Sequence, residues 1–362
     1  MNLSLDNIRA YLCAPGSGVY TVFTGREKRQ ILQKQLYGVI DQEAEAAWSA
    51  SLQEQLNQPN SVVLGICSDA GGGINRGANW GPLFVRLALY QHIRGWQPTE
   101  LGDIRIIPQL LLDEYASDAI LRSTRKALYD DENSARVVSP LSMTYECAKW
   151  FYEQYPNRLL LGIGGDHSCS YPLIRAYLEH KKQQQKRVAV VHFDAHTDMM
   201  TSRLGIPICF GSWTYHILPY LPAPDHLVQI GIRASGRVRQ YWETQYGIRQ
   251  FWAHEVIENG ALAVAEVVIA HLKARQVDEI YITFDIDALD ASTASATGTP
   301  ETDGLTLDDA LTLITALKTV FKISGADLME VAPFIAYPSS NGEIEGSAST
   351  LFAAAKVLSQ FI

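Results

Sequence analysis

Apolar runs of strand length recur along this 362-residue chain, with room for a helix between most neighbouring pairs. Strands are predicted near Val62–Ile66, Ile104–Pro108, Leu159–Gly162, Val188–Phe193, Leu227–Gly231, Ile248–Phe251, Ile280–Phe284 and Ile323–Asp327. Several are continuously apolar rather than alternating, which suits strands buried on both faces of a parallel sheet. Helices are predicted at Tyr171–Lys182 and Ala261–Arg275, and Thr306 stands where it can cap a helix over Leu307–Leu317. The alternation places the chain in the α/β class, as a three-layer α/β/α sandwich with a central, mostly parallel sheet of about eight strands.

Two stretches fit the alternation less well. Residues 1–57 carry a predicted helix at Gln42–Leu56 and read as an N-terminal extension to a catalytic domain over 58–362. Residues 109–150 form a second long connection, helical in part. Neither is rich enough in Gly, Pro or Ser to be a linker, and no internal repeat is present.

A hydrophobic content of 47% with 19% charged residues is that of a globular chain with a substantial core. The net charge of −9 argues against nucleic acid or an anionic membrane as partner and leaves a small-molecule substrate as the expectation. The basic run Lys181–Arg187 reads as a solvated helix end. No apolar stretch approaches about eighteen residues, and the N-terminus has no signal-like core. Cys13, Cys67, Cys147, Cys169 and Cys209 are odd in number and widely spaced, with no CxxC, as expected of reduced thiols in a cytoplasmic protein.

The chemistry gathers where apolar strands end. The run VAVVHFDAHTD, residues 188–198, passes from a buried strand into Asp194, His196 and Asp198 at alternate positions. Side chains at alternate positions of a strand share a face, and two carboxylates converging with an imidazole repel unless a cation lies between them. Ligands of parallel α/β folds bind beyond the carboxyl ends of the strands, so other strand ends should carry the same residue types. They do: Leu159–Gly162 runs into Gly164-Gly165-Asp166-His167-Ser168, and Ile280–Phe284 into Asp285-Ile286-Asp287. Taken singly, each motif competes with a plain turn or helix cap, and the paired Asp also with a phosphate-linked magnesium site. Together they supply two His and four Asp from three strand ends. Oxygen and imidazole donors without thiolate suit first-row divalent ions rather than structural zinc. Four carboxylates are too many for one ion but natural for two, about 3.5–4 Å apart, that share a hydroxide and bring its pKa near neutrality. The Gly71-Gly72-Gly73 stretch is not a phosphate loop, since no Gly-Lys-Ser/Thr follows it.

In this order GGDHS, DAHTD, FDIDALD, ATGTP (296–300) and MEVAP (329–333) resemble the motifs of the ureohydrolases, the superfamily of arginase, agmatinase, formimidoylglutamase and guanidino-acid hydrolases. The resemblance spans roughly residues 60–362 and includes Arg76-Gly77-Ala78-Asn79-Trp80-Gly81-Pro82. It implies that His167, Asp194, Asp198 and Asp285 hold one ion and that His196 and Asp287 hold the other, with Asp194 and Asp285 bridging. The metal it implies is Mn2+, with Ni2+ as the alternative, and the assembly a homotrimer or homohexamer. The implied reaction is hydrolysis of a linear C–N bond in an amidine or guanidino group. Asp198 would pass a proton to the leaving amine, and Glu330 would pair with the substrate's cationic nitrogens.

Two positions depart from the family pattern. Phe210 stands where arginases and agmatinases carry a proton-shuttle histidine, and His216 replaces it only if the loop bends back. The region that holds an acid in arginase reads Gly231-Ile232-Arg233-Ala234-Ser235-Gly236-Arg237, with Arg239 nearby. Arg237 and Arg233 there could receive a substrate carboxylate, as in formimidoylglutamate or a guanidino acid, or could be surface residues. Trp213 and Phe210 would form an apolar rim. Agmatine, arginine and free guanidine remain alternative substrates. A silent metabolite-binding relative and a one-zinc deacetylase are the rival classes, separable by metal stoichiometry.

Overall fold

The computed structural model describes residues 4–19, 23–335, 337–338, 344–345 and 347–362. Nine strands form the main sheet: β1 (Leu12–Cys13), β2 (Val62–Gly65), β3 (Thr99–Ile104), β4 (Leu160–Ile163), β5 (Val188–Phe193), β6 (Leu227–Ile232), β7 (Arg249–Trp252), β8 (Glu279–Asp285) and β9 (Lys322–Met329). Their order is β1-β3-β2-β4-β9-β8-β5-β6-β7. All neighbours pair in parallel except β1, which lies antiparallel on β3.

Helices cover both faces, which gives the three layers. One apolar cluster joins Trp48, Leu52, Phe151, Leu173 and Tyr177 to one face of the sheet. The other joins Val85, Leu89, Val268, Leu313 and Ala354 to the opposite face. The cap expected at Thr306 forms: its Oγ1 accepts from Asp309 N at 3.0 Å, and Asp309 Oδ2 accepts from Thr306 N at 3.2 Å. This reciprocal box opens the helix Leu307–Val320. No helix among the described residues is long and apolar enough to cross a membrane.

Two differences from the expected strands share a cause. The strand anticipated at Ile104–Pro108 instead covers Thr99–Ile104, whose sequence TELGDI is polar yet entirely buried. Arg86, itself fully buried, donates from Nε to Glu100 Oε1 and Oε2 at 3.1 and 3.0 Å and from Nη1 to Asp103 Oδ1 at 2.7 Å. An ion triad thus replaces the apolar side chains that a pattern search seeks. The free oxygen of Asp103, Oδ2, accepts from Gly16 N and Gly18 N at 2.8 and 3.1 Å, tying the segment after β1 to β3. Residues before 58 therefore supply the ninth strand, one more than expected, and put Ile8, Trp48, Leu52 and Leu56 into the core.

Candidate metal centre

Strands β4, β9, β8 and β5 are consecutive in the middle of the sheet, so the motifs that follow them meet at one edge. The turn after β4 is tight. A Cβ at Gly165 would stand 1.7 Å from the Ser68 carbonyl oxygen, which excludes any side chain there. Asp166 accepts from Ser168 N at 2.9 Å and from Gly71 N at 3.1 Å, and His167 follows it at the site edge, 1% exposed. Burial raises the Asp166 carboxyl to about 6. Asp198 and Glu330 both adopt left-handed backbone, with φ of 51° and 65°. Such conformations cost non-glycine residues energy and gather at functional sites.

The six expected ligands fall into two groups that share one carboxylate. His167 Nδ1 lies 3.1 Å from Asp194 Oδ2, 3.4 Å from Asp198 Oδ2 and 3.0 Å from Asp285 Oδ2. His196 Nδ1 lies 3.3 Å from Asp194 Oδ1 and 3.2 Å from Asp287 Oδ2. Asp194 thus turns one oxygen to each group. Asp285 is less symmetric, because its Oδ1 accepts from Asp287 N at 2.9 Å. His192 also adjoins the first group, but both of its ring nitrogens are engaged, with Asp194 and with Gln229.

The electrostatics of the cluster follow from its burial and its facing charges. Burial, then the neighbouring carboxylates, push Asp198 and Asp285 well above the usual carboxylate range. Burial acts the same way on Asp194, but the imidazoles around it, His192 first and then His167 and His196, outweigh it and hold that carboxyl low. Burial disfavours charge on His167 and His196, yet the facing carboxylates override it and raise both imidazoles. Carboxylates packed this closely favour positive charge between them. His167 Nδ1 is buried with no hydrogen-bond partner and three carboxylate oxygens around it, which is a fitting donor set for a divalent ion.

Side chains outside the six hold them in place. Trp213 Nε1 donates to Asp198 Oδ2 at 2.8 Å, and Thr214 Oγ1 donates to the carbonyls of Thr197 and Asp198 at 2.9 and 2.6 Å. Thr299 Oγ1 donates to Asp287 Oδ2 at 3.1 Å, and Glu301 Oε1 lies 3.4 Å from His196 Nε2. His167 Nε2 meets Thr283 Oγ1 at 3.0 Å. Glu301 and Thr283 were not anticipated; the first follows the ATGTP motif directly, while the second carries no signal beyond its place in β8.

A cavity of about 230 Å³ adjoins the cluster, lined by Asn75, Arg203, Phe210, Thr299 and Glu330 among others. Glu330 is buried and accepts from His167 N at 2.9 Å; burial, then Asp166, push its carboxyl well up. The Arg203 guanidinium lies over the Phe210 ring, 5.0 Å from its centroid. Four further residues singled out in the sequence stand elsewhere. Arg237 is exposed, lies over Tyr241 and does not line this cavity. Arg233 spends its guanidinium on the carbonyls of Thr302, Asp287, Leu289 and Glu301 at 2.8, 2.8, 3.1 and 2.9 Å, bracing loops rather than facing a ligand. His216 does not line the cavity either and holds the Thr201 carbonyl at 3.0 Å through Nε2. Trp213 is wholly buried beneath Asp198, so it forms no rim. A larger hollow of about 530 Å³, near the amino ends of β2 and β3, holds no metal-type cluster among the described residues.

Residues 59–362 match the Arginase family. The agmatinase of Sodalis glossinidius is 38% identical over 178 residues, which are 48% of this chain and 52% of that protein. An Escherichia coli agmatinase is 39% identical over 176 residues, again 48% and 52% of the two chains. The alignments thus span about half the length of these curated relatives. Among solved structures, a hypothetical agmatinase from Burkholderia thailandensis superposes with a TM-score of 0.62 at 28% identity, covering 84% of this chain and 85% of that one. Arginase from Bacillus cereus shares the fold, with a TM-score of 0.64 at 22% identity over 84% and 98% of the chains. A family match across most of the chain, in the span that holds the strand-end residues assembled above, makes this protein a member of the arginase family.

Proposed function

We propose that the protein is a binuclear-metal hydrolase that cleaves a linear C–N bond of an amidine or guanidino substrate bearing a carboxylate. His167, Asp194, Asp198 and Asp285 would hold one divalent ion, and His196, Asp287 and the second oxygen of Asp194 the other. Manganese is the first choice and nickel the second. When bound, such a pair supplies Lewis acidity and a nucleophilic hydroxide at neutral pH.

The chain's own residues do the rest. Glu330, desolvated beside the cluster, attracts the cationic end of the substrate and turns its planar carbon toward the metal ligands. Asp198 is clamped by Trp213, which restricts it to one orientation for taking the nucleophile's proton and handing it on to the leaving amine. Phe210 brings no titratable group to the cavity, so the leaving-group proton comes from Asp198 without a histidine relay. The observation that carries the substrate's charge pattern is the pairing of Glu330 and Arg203 in one small cavity. A carboxylate on one wall and a guanidinium on another match a molecule cationic at one end and anionic at the other. Arg203 thereby takes the anchoring part that the sequence suggested for Arg237. The agmatinase and arginase names of the relatives support the bond type; this charge pattern separates the chain from a diamine-type substrate.

Manganese- and nickel-loaded protein should be offered formimidoylglutamate, 4-guanidinobutyrate, agmatine, arginine and guanidine, with urea, formamide and ammonia assayed. Turnover of an acidic substrate is expected, with a higher KM in Arg203→Ala. Preference for agmatine, or an Arg203→Ala variant with unchanged KM, would discard the anchor. Subunit number, taken as three or six by family likeness, is read by sedimentation.

A further inference from the structure

One register of the sheet is polar where burial calls for apolar residues. Asp327 pairs with Thr283, Thr283 with His192, His192 with Gln229 and Gln229 with Gln250, across β9, β8, β5, β6 and β7. All five side chains are 0% exposed. A buried amide or imidazole is costly unless each polar atom has a partner, so such a row persists only when fully satisfied. Direct neighbours on parallel strands share a face, and this face lies immediately below the ligand-bearing strand ends.

The hydrogen bonds along the right half of the row have a single allowed direction. Trp252, at the end of β7, carries a nitrogen that can only donate, and it lies 2.9 Å from Gln250 Oε1. Gln250 must then present its NH₂ group to Gln229, and Nε2 donates to Gln229 Oε1 at 2.8 Å. Gln229 in turn presents its own NH₂ inward. One hydrogen goes to the Thr197 carbonyl at 2.7 Å, and the other meets His192 Nδ1 at 3.0 Å. The Thr197 carbonyl accepts only, so it fixes the Gln229 amide independently and agrees with the direction set by Trp252. A ring nitrogen that receives a hydrogen bond has none to give. His192 is therefore the Nε2–H tautomer, and that hydrogen goes to Asp194 Oδ2 at 2.7 Å.

We propose that His192, oriented by the Gln229–Gln250–Trp252 chain, is a positioning residue that sets the rotation of Asp194, the carboxylate shared by both ligand groups. Asp194 Oδ2 receives one protein donor, His192, and Oδ1 receives another, His196 N at 2.6 Å. With both donors fixed, the carboxylate plane cannot turn, and each oxygen keeps its remaining lone pair toward one group. Outer partners of this kind are worth about tenfold to a hundredfold in metal affinity. The inference rests on the metal centre proposed above, but the tautomer does not need a metal to be observed.

Metal-free protein and its variants should be titrated with Mn2+, the free ion being followed by electron paramagnetic resonance. His192→Leu should bind at least one ion about ten- to a hundredfold more weakly. His192→Gln, whose Nε2 can reach the same place as the imidazole donor, should recover most of the loss. Trp252→Phe, at the partly exposed end of the chain, removes one of the two groups that set the direction and should weaken binding by a smaller factor. In ¹⁵N-labelled wild-type protein, His192 should show a protonated Nε2 and a bare Nδ1. Wild-type affinity in His192→Leu, or a protonated Nδ1 in the spectrum, overturns the assignment. Should His192→Leu fail to fold, Trp252→Phe and the spectrum decide. A wild-type protein that binds no manganese would overturn the metal centre itself, a result distinct from either of these.

Discussion

Glu330 shows how much one residue's surroundings decide. A surface carboxylate would grip a guanidinium weakly, because water competes; Glu330 is 7% exposed, takes one backbone donor from His167 and faces the cavity with its remaining capacity. Glu330→Gln keeps the shape and the acceptor for His167 but removes the charge. The expected result is a fall in kcat/KM of about tenfold to a hundredfold, the scale of one charge-assisted hydrogen bond, with metal content unchanged. Equal activity in steady-state assays would remove Glu330 from substrate binding. Asp327 is a second buried carboxylate, raised to about 6 by burial despite hydrogen bonds from Thr283, Tyr281 and Ser170. A folded-state pKa above the unfolded value means the stabilising contribution is full below about pH 4 and is lost as pH rises toward 6. Denaturation of wild type against Asp327→Asn, followed over that window, should show the wild-type advantage shrink by roughly 3 kcal/mol. At this scale the six proposed ligands were legible as a cluster because they follow the ends of apolar strands. The places of Arg203, Trp213 and Glu301 were not, since they depend on where the segments from 199 to 213 and from 296 to 301 run in space.

Elements were legible where burial was achieved with apolar residues and invisible where it was achieved with ion pairs. β5 and β8, flanked by strands and covered by helices, are written in Val, Ile and Phe and match their predicted bounds within two residues. β3 is written TELGDI, so its apolar signal slid to the following Ile104–Pro108. The two-residue β1 is too short for any periodicity, and its place is set by Asp103 holding Gly16 and Gly18. Arg86 is thus the hinge of an entire sheet edge. Arg86→Leu leaves Glu100 and Asp103 buried without their cation, and burial already pushes Glu100 upward against the pull of Arg86. A loss of about 3–5 kcal/mol in urea unfolding is expected, the scale of a broken buried ion pair. Replacing Thr306, whose cap sits on an exposed helix end, should cost only about 1 kcal/mol. If the two variants were equally stable, the triad would not be what holds the edge.

For the molecule as a whole, the sheet is a scaffold that forces like charges together, and the proposed ions would reconcile them. Asp198 and Asp285 are pushed up by burial and by neighbouring carboxylates, while His167 and His196 keep protons to higher pH than an isolated imidazole. A metal ligand must shed its proton, so ion uptake at neutral pH should release protons and the affinity should rise with pH. The sign for the metal-free protein is opposite. Groups whose folded pKa is raised stabilise the fold while protonated, so the metal-free chain should lose stability as pH rises through those values. Chelation should therefore lower the melting temperature more at pH 8 than at pH 6. Excess Mn2+ should restore it, by about 2.7 kcal/mol per site when the free ion is a hundredfold above its Kd. Two measurements read this directly: melting curves with and without chelator at both pH values, and binding heats in two buffers of different ionisation enthalpy. Proton release together with a pH-dependent chelator effect would identify the cluster as a cation site shaped by the fold. Equal chelator effects at pH 6 and 8, with no protons released, would mean that the six side chains are satisfied by each other and that no ion belongs between them.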